Sequence, residues 1–161
     1  MVTLDQKVES QWAQVENVYQ RRADLIPNLV NVAKGYMKHE KDILTELAEA
    51  RSRYAGAPKG SPDKVQAANQ MESVLSRLLV IVENYPNLKA DRTMQSLMDE
   101  LAGTENRISV ERHRYNEIAK DFNTEILKFP GSLYASIFHF KKRAYFEAAR
   151  GAEKAPEVKF E

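Results

Sequence analysis

The sequence contains no cysteine among its 161 residues, which excludes disulfide bonds and thiolate metal sites. Its longest uninterrupted apolar run, residues 78–82, is only five residues long and is far too short to cross a membrane. Neither sign of charge dominates, since 24 lysines and arginines stand against 23 aspartates and glutamates. A balanced surface has no broad electrostatic footprint for nucleic acid, so we expect no nucleic-acid partner.

Motifs for catalysis and for cofactor binding are also lacking. The six glycines are dispersed, so the chain has no phosphate-binding loop. The three histidines, His39, His113 and His139, are scattered, and neither a Glu-x-x-His pair nor a His-Glu-x-x-His run occurs. No nucleophile turn is recognisable. We therefore predict that the chain holds no metal and no cofactor and is not an enzyme.

Apolar residues recur at helical spacing through most of the chain, and no segment has the alternating pattern of a β-strand. The pattern predicts an all-α fold, an elongated up-and-down bundle of three long helices plus a short fourth. The long helices are expected at about residues 4–54, 62–84 and 91–129, and the short one at 133–146. We expect residues 85–90 to be extended, residues 1–149 to form one domain, and residues 150–161 to be a flexible tail.

The first predicted helix contains polar residues at positions where packing alone would not require them. Its apolar seam includes Trp12, which we expect to be largely buried, but Arg22 occupies the next position after Tyr19. Pro27 lies inside the pattern and is expected to bend the helix without ending it, because its ring removes one backbone hydrogen bond.

Polar residues from distant parts of the sequence are predicted to meet at one level of the bundle. Three Glu-Asn dipeptides recur, and the helical rise of about 1.5 Å per residue places two of them near the height of Pro27. The candidate polar residues are Glu16, Asn17, Arg22, Asn28, Asn31, Glu83, Asn84, Glu105, Asn106 and Glu111.

Two interpretations of this level remain open. In the structural one, the asparagines form a buried hydrogen-bond network that fixes helix register and satisfies the carbonyl freed by Pro27. Arg22 then pairs with Glu105 or Glu111, because an unpaired buried charge is expensive. In the functional one, the same residues form a site between helices, and Arg22 binds the anionic group of a ligand.

Two smaller features also have alternative interpretations. Gly103 interrupts the third long helix, and we expect it to let two helices approach closely. Residues 138–143, Phe-His-Phe-Lys-Lys-Arg, form a basic and aromatic cluster. This cluster is either a solvated helix end or a segment that touches a membrane surface.

Several of these segments together resemble the LemA family of bacterial proteins. The motifs are Trp12–Val30, Gly35-Tyr36 with His39-Glu40, Val82–Lys89, Gly103–Ile108, Arg114–Asn116 and Phe129-Pro130. The resemblance covers roughly residues 4–147 and implies a helical bundle without established enzymatic activity. It also implies a membrane anchor just before Leu4, absent from this sequence, with the bundle on the cytoplasmic side. His139 stands where the family usually has glycine, and Ala144 where proline is frequent.

Two hypotheses on function follow. The first is a non-enzymatic, membrane-tethered scaffold or adaptor that presents a polar face to unknown protein partners. The second is a small-ligand sensor or enzyme that uses the polar level between helices. A solvent-filled cavity at Asn28, Asn84 and Asn106 favours the second hypothesis, and a closed, fully paired network favours the first.

Overall fold

The computed structural model describes residues 1–146 of the chain. The predicted tail at 150–161 lies outside these residues. Within them the chain forms helices and connecting turns but no β-strand, which confirms the all-α prediction. The six helices are α1 (Val2–Lys34), α2 (Lys41–Gly56), α3 (Pro62–Val82), α4 (Pro86–Lys89), α5 (Arg92–Leu127) and α6 (Gly131–Phe138).

The first predicted helix is in fact two helices. Helix α1 runs through Pro27 without interruption, as predicted, but it ends at Lys34. Turns at residues 35–40 separate it from α2, so the prediction of one helix to residue 54 is wrong. Gly35 opens this break, and glycine is a common helix stop. The seam continues on both sides because Ala33, Met37 and Ile43 are all buried.

Helix α3 begins where the sequence indicated. Ser61 is its N-cap, and its side chain accepts a hydrogen bond from the Lys64 N–H, while Pro62 occupies the first helical position. The helix is not buried on all sides, since Val80 is 69% exposed. Residues 85–90 are not extended either, because Pro86 starts the short helix α4, a position that suits proline.

The side chain of Lys64, in the first turn of α3, contacts Tyr54 near the end of α2. Its buried amine donates to the Tyr54 carbonyl at 2.9 Å and lies 4.1 Å from the centre of the Tyr54 ring. Burial raises the pKa of the Tyr54 hydroxyl, so this tyrosine stays neutral at physiological pH.

Helix α5 begins at the predicted cap. The Asp91 side chain accepts hydrogen bonds from the Met94 N–H at 3.0 Å and from the Tyr36 hydroxyl at 2.8 Å, and these bonds lower its pKa. The short last helix is shorter than predicted: α6 ends at Phe138, and residues 139–146 are not helical. His139 ends it in the left-handed conformation, with a φ of 56°.

The chain divides into two compact units. The first comprises residues 1–9 with the described residues from 112 onward, and the second comprises residues 10–111. The range 1–149 for a single domain stays a prediction. Trp12, in the second unit, is of intermediate burial, neither fully in the core nor exposed. Its ring N–H donates to Glu16 at 2.8 Å, so one edge must face a polar group.

Candidate functional site

Arg22 is the charged centre of the second unit and is only 1% exposed. Its guanidinium donates to the Glu105 carboxylate of α5 and lies 3.5 Å from the Glu72 carboxylate of α3. The prediction that Arg22 pairs with Glu105 is thus confirmed. The other predicted partner, Glu111, accepts hydrogen bonds from the Gln11 side chain instead, at 2.5 Å to its carboxylate and 3.1 Å to its carbonyl.

The cation and its two anions differ in their exposure to water. The side chain of Arg22 is buried, whereas 29% of Glu72 and 53% of Glu105 are exposed. Arg22 Nη1 makes no hydrogen bond within the described residues, and the nearby Glu72 charge compensates it only through the ion pair. The arrangement joins α1, α3 and α5 around one buried charge, which is how an arginine stabilises helix register.

The backbone carbonyl released by Pro27 has a side-chain donor. In a regular helix the carbonyl of Ala23 accepts the N–H of residue 27, which proline lacks. Arg51 of α2 supplies the missing hydrogen through its Nε, at 2.9 Å from the Ala23 oxygen. The sequence correctly indicated that a donor is needed here, but the expected asparagines do not provide it.

Glu16 connects α1 to the turn that precedes α3. Its Oε1 accepts the Trp12 indole N–H at 2.8 Å and the Gly60 backbone N–H at 2.5 Å. Gly60 has a φ of 73°, a conformation that glycine adopts without strain. Glu16 therefore anchors a turn rather than taking part in an inter-helix network with the other candidate residues.

The predicted asparagine network is not buried, which corrects the structural interpretation. The surface asparagines of the candidate set are Asn17, Asn28, Asn31, Asn84 and Asn106. Glu83 is also exposed and forms a surface ion pair with Lys89 at 2.5 Å. The estimate of a common level assumed an unbroken first helix and an extended segment at residues 85–90, and the structure has neither. Whether the exposed residues bind a ligand or a partner stays a prediction.

A polar groove runs between α1 and α5 and contains Asn17. Its volume is about 480 Å³, and its lining residues are Gln14, Asn17, Val18, Arg21, Glu100, Gly103, Thr104 and Arg107. Arg21 and Glu100 form an ion pair across it at 3.2 Å. A Cβ added to Gly103 meets no atom within 4 Å, so the expected close helix approach there is wrong. Gly103 instead leaves the groove open.

Two asparagines of α5 that the candidate set did not include hold an extended segment in the first unit. The Asn123 side chain exchanges hydrogen bonds with the backbone of Arg143, at 2.7 and 2.9 Å. The Asn116 side chain does the same with the backbone of Phe146, at 2.8 and 3.0 Å. The signal in the sequence was the spacing of these asparagines, two helical turns apart on one face of α5.

The basic and aromatic cluster at residues 138–143 divides by the direction of its side chains. Arg143 binds Asp5 and Glu9 of α1, both at 2.7 Å, and is therefore not a solvated helix end. Burial by itself lowers the pKa of Arg143, but the hydrogen bond to Asp5 and the charge of Glu9 outweigh it and raise the pKa. Lys141 and Lys142, in contrast, are exposed.

The part of the chain that the structure describes contains no group of three or more histidine, aspartate and glutamate side chains placed to hold a metal ion. Among residues 1–146, no helix is both long and apolar enough to cross a bilayer.

Comparison with known proteins identifies the family. Magnetosome protein MamQ 2 of Paramagnetospirillum magneticum is 27% identical over 171 residues, covering 91% of this chain and 63% of that protein. Protein LemA of Metamycoplasma hominis is 24% identical over 135 residues, covering 84% of this chain and 62% of that protein. The chain thus spans less than two thirds of the length of these relatives. The model of the LemA family matches residues 11–160, nearly the whole sequence, and the chain belongs to that family.

Proposed function

We propose that this chain is the helical domain of a membrane-tethered, non-enzymatic scaffold or adaptor, and that the groove between α1 and α5 is where a protein partner binds. The observation that carries the proposal is the polar lining of this groove, with Arg21, Arg107 and Glu100 at its rim and an unfilled space over Gly103. Side chains with donors, acceptors and both charges suit the polar rim of a transient protein interface.

One charged side chain of the groove, that of Arg107, forms no ion pair with another described residue. Arg21 is paired with Glu100 in the groove, whereas no ion pair within residues 1–146 involves Arg107. A partner that brings a carboxylate toward Arg107 gains a charge-assisted hydrogen bond, and arginine is well suited to bind a carboxylate with two bonds. The proposed partner surface is therefore acidic and small enough to enter the space above Gly103.

The membrane tether is supported by relationship rather than by any helix described above. Membership of the LemA family carries the expectation of an anchor preceding Leu4. The MamQ relatives are named as magnetosome proteins, and this name refers to those proteins. By analogy we propose that this domain, too, works beside a membrane and gathers partners there.

Proximity labelling in cells tests the groove. The full-length protein is fused to a labelling enzyme, and the native sequence is compared with Gly103→Gln, which places a side chain in the groove without burying a charge. Gly56→Gln is the matched control, because a Cβ at Gly56 also meets nothing within 4 Å and Gly56 is not among the lining residues. We expect Gly103→Gln to lose a set of labelled proteins that Gly56→Gln keeps. Identical labelling by all three contradicts the proposal.

The alternative function is a sensor or enzyme for a small ligand at this same groove. Its volume of about 480 Å³ lies within the usual range of ligand pockets, and two of its lining residues are arginines. Titration with inorganic phosphate separates the alternatives. A rise in melting temperature that disappears in Arg107→Gln favours the ligand site, whereas no rise together with a loss of labelling in Gly103→Gln favours the adaptor.

A further inference from the structure

The outer face of α6 carries large apolar side chains that stay mostly exposed among the described residues. These side chains and those just before the helix are between 54% and 84% exposed: Leu127, Phe129, Leu133, Tyr134, Ile137 and Phe138. Isolated exposed apolar residues are ordinary, but a contiguous group of this size marks a binding surface.

Helix α6 is amphipathic with its large side chains turned outward. Positions 133, 134, 137 and 138 follow the i, i+1, i+4, i+5 spacing that places residues on one face of a helix. A neighbouring face carries Gly131 and Ala135, which are buried. A Cβ added to Gly131 would lie 2.1 Å from the Glu125 carbonyl oxygen, so α6 packs by its small residues. Helix α6 therefore packs against the first unit with its small residues, and its bulky side chains point away from the core.

The segment that contains α6 is basic, although the exposed Glu125 just precedes it. Residues 127–142 contain three lysines, Lys128, Lys141 and Lys142, and no aspartate or glutamate. All three lysines are exposed, and no ion pair within residues 1–146 involves them. A short apolar helix face in a segment with three lysines, together with the aromatic residues Phe129, Tyr134 and Phe138, has the chemistry of a segment that lies in the interface of an anionic membrane.

We propose that the outer face of α6, with Lys128, Lys141 and Lys142, docks directly on an anionic lipid surface. The helix is about 12 Å long and lies in the interface, since eight residues are too few to span the bilayer. The inference deepens the membrane-tethered function proposed above and rests on it for its role in the cell. It assigns the surface that faces the membrane, which the tether alone leaves undetermined.

The position of the first residue agrees with this orientation. The Met1 side chain lies 3.3 Å from the point where a Cβ of Gly131 would be, so the start of α1 and the start of α6 are neighbours in the first unit. A membrane anchor that preceded α1 would bring the outer face of α6 close to the same bilayer. Anchor and face would then act on one surface, and the second contact is effectively intramolecular.

A second copy of the chain fits this face less well than a lipid surface does. A symmetric dimer places the same patch on both partners, and the three lysines of one copy would face the three of the other. An eight-residue helix also offers little of the roughly 800 Å² per partner that a stable interface buries. The charge that opposes self-association is the charge that favours anionic lipid.

Sedimentation with vesicles tests the proposal on residues 1–161. We expect the protein to bind vesicles of phosphatidylcholine containing about one third phosphatidylglycerol and to bind pure phosphatidylcholine far less, with binding falling as salt rises. Leu133→Ser with Ile137→Ser should lower the partition coefficient at least about tenfold. Lys141→Gln with Lys142→Gln should lower it by about fivefold for each lysine.

Matched controls and contrary outcomes are available in the same experiment. Val80→Ser and Val110→Ser remove apolar residues that are 69% and 50% exposed on α3 and α5, and these variants should bind as the native protein does. Circular dichroism establishes that each variant is folded. Absence of binding to anionic vesicles, or equal loss in the Val80 and α6 variants, overturns the inference. So does a native dimer that the α6 variants convert to monomer. The groove variant Gly103→Gln should bind vesicles normally, so failure here is distinct from failure of the adaptor function.

Discussion

Arg22 is a charged side chain with 1% of its surface exposed, whereas Phe138 is an aromatic side chain with 64% exposed. The first belongs to the ion-paired cluster with Glu72 and Glu105 in the second unit, and the second to the outer face of α6 in the first unit. Burial of apolar surface normally leaves charged side chains exposed and aromatic side chains buried, so both residues are exceptions. The buried charge has its partners within the protein and contributes to stability. The apolar face of α6 is left exposed among the described residues.

Removal of Arg22 should have the largest effect on stability. Arg22→Ala deletes the cation that joins α1, α3 and α5 and leaves a cavity, so we expect a loss of about 3 kcal/mol in the free energy of unfolding. Arg22→Met keeps most of the volume, and its two released carboxylates are already partly in water, so its loss should be less than half as large. Denaturant unfolding measures both. Equal losses would mean that charge rather than packing dominates the cluster.

The packing of the inner face of α6 gives the next largest effect. Gly131→Ala forces a methyl group against the Glu125 carbonyl and should cost about 2 kcal/mol, in the range of overpacked sites. Gly103→Ala is the control, because its Cβ has open space and alanine favours helix, so it should gain up to about 1 kcal/mol. Thermal unfolding distinguishes the two. A neutral Gly131→Ala would mean that α6 does not pack closely on residue 125.

The hydrogen bond from Arg51 to Ala23 should be worth less. Arg51→Ala leaves the carbonyl of buried Ala23 without its side-chain donor and should cost about 1–2 kcal/mol. Pro27→Ala restores the backbone N–H, so Arg51→Ala should cost much less in that background. A double-mutant cycle measures this coupling. Additive effects of the two substitutions would show that Arg51 does not serve the carbonyl that Pro27 releases.

The smallest effect has the opposite sign. His139 ends α6 with a φ of 56°, which strains a residue with a Cβ. His139→Gly should therefore raise the free energy of unfolding by about 0.5–1 kcal/mol. The comparison uses His139→Ala, which keeps the strain and should give no gain. Equal stability of the two variants would place the strain elsewhere.

Periodicity predicted most of the core because burial acts on every turn of a helix in the same way. The buried residues Val15, Tyr19, Ile26, Leu101 and Phe122 all lie on the predicted seams. The pairing of Arg22 with Glu105 was also predictable, since a cation on an apolar seam must find a carboxylate on a facing helix.

The features that the sequence did not predict depend on where one helix ends and the next begins. Short turns between helices have weak local signals in the sequence. The pattern of apolar spacing passes through residues 35–40 and hides the turn that separates α1 from α2. Without that turn, Arg51 could not be placed beside Ala23, and the estimated heights of Asn84 and Asn106 rested on a helix that the structure divides. The outer face of α6 escaped detection for another reason, because apolar spacing does not tell which face of a helix is covered.

Equilibrium unfolding of two variants in parallel tests the contrast between these regions most directly. The variants are Arg22→Ala, in the buried cluster, and the double substitution Leu133→Ser with Ile137→Ser, on the outer face of α6. The account predicts a loss of about 3 kcal/mol for the first. For the second it predicts less than about 1 kcal/mol, because these side chains are already more than half exposed. A larger loss for the α6 variant than for Arg22→Ala would contradict the account, since the apolar face would then be part of the core.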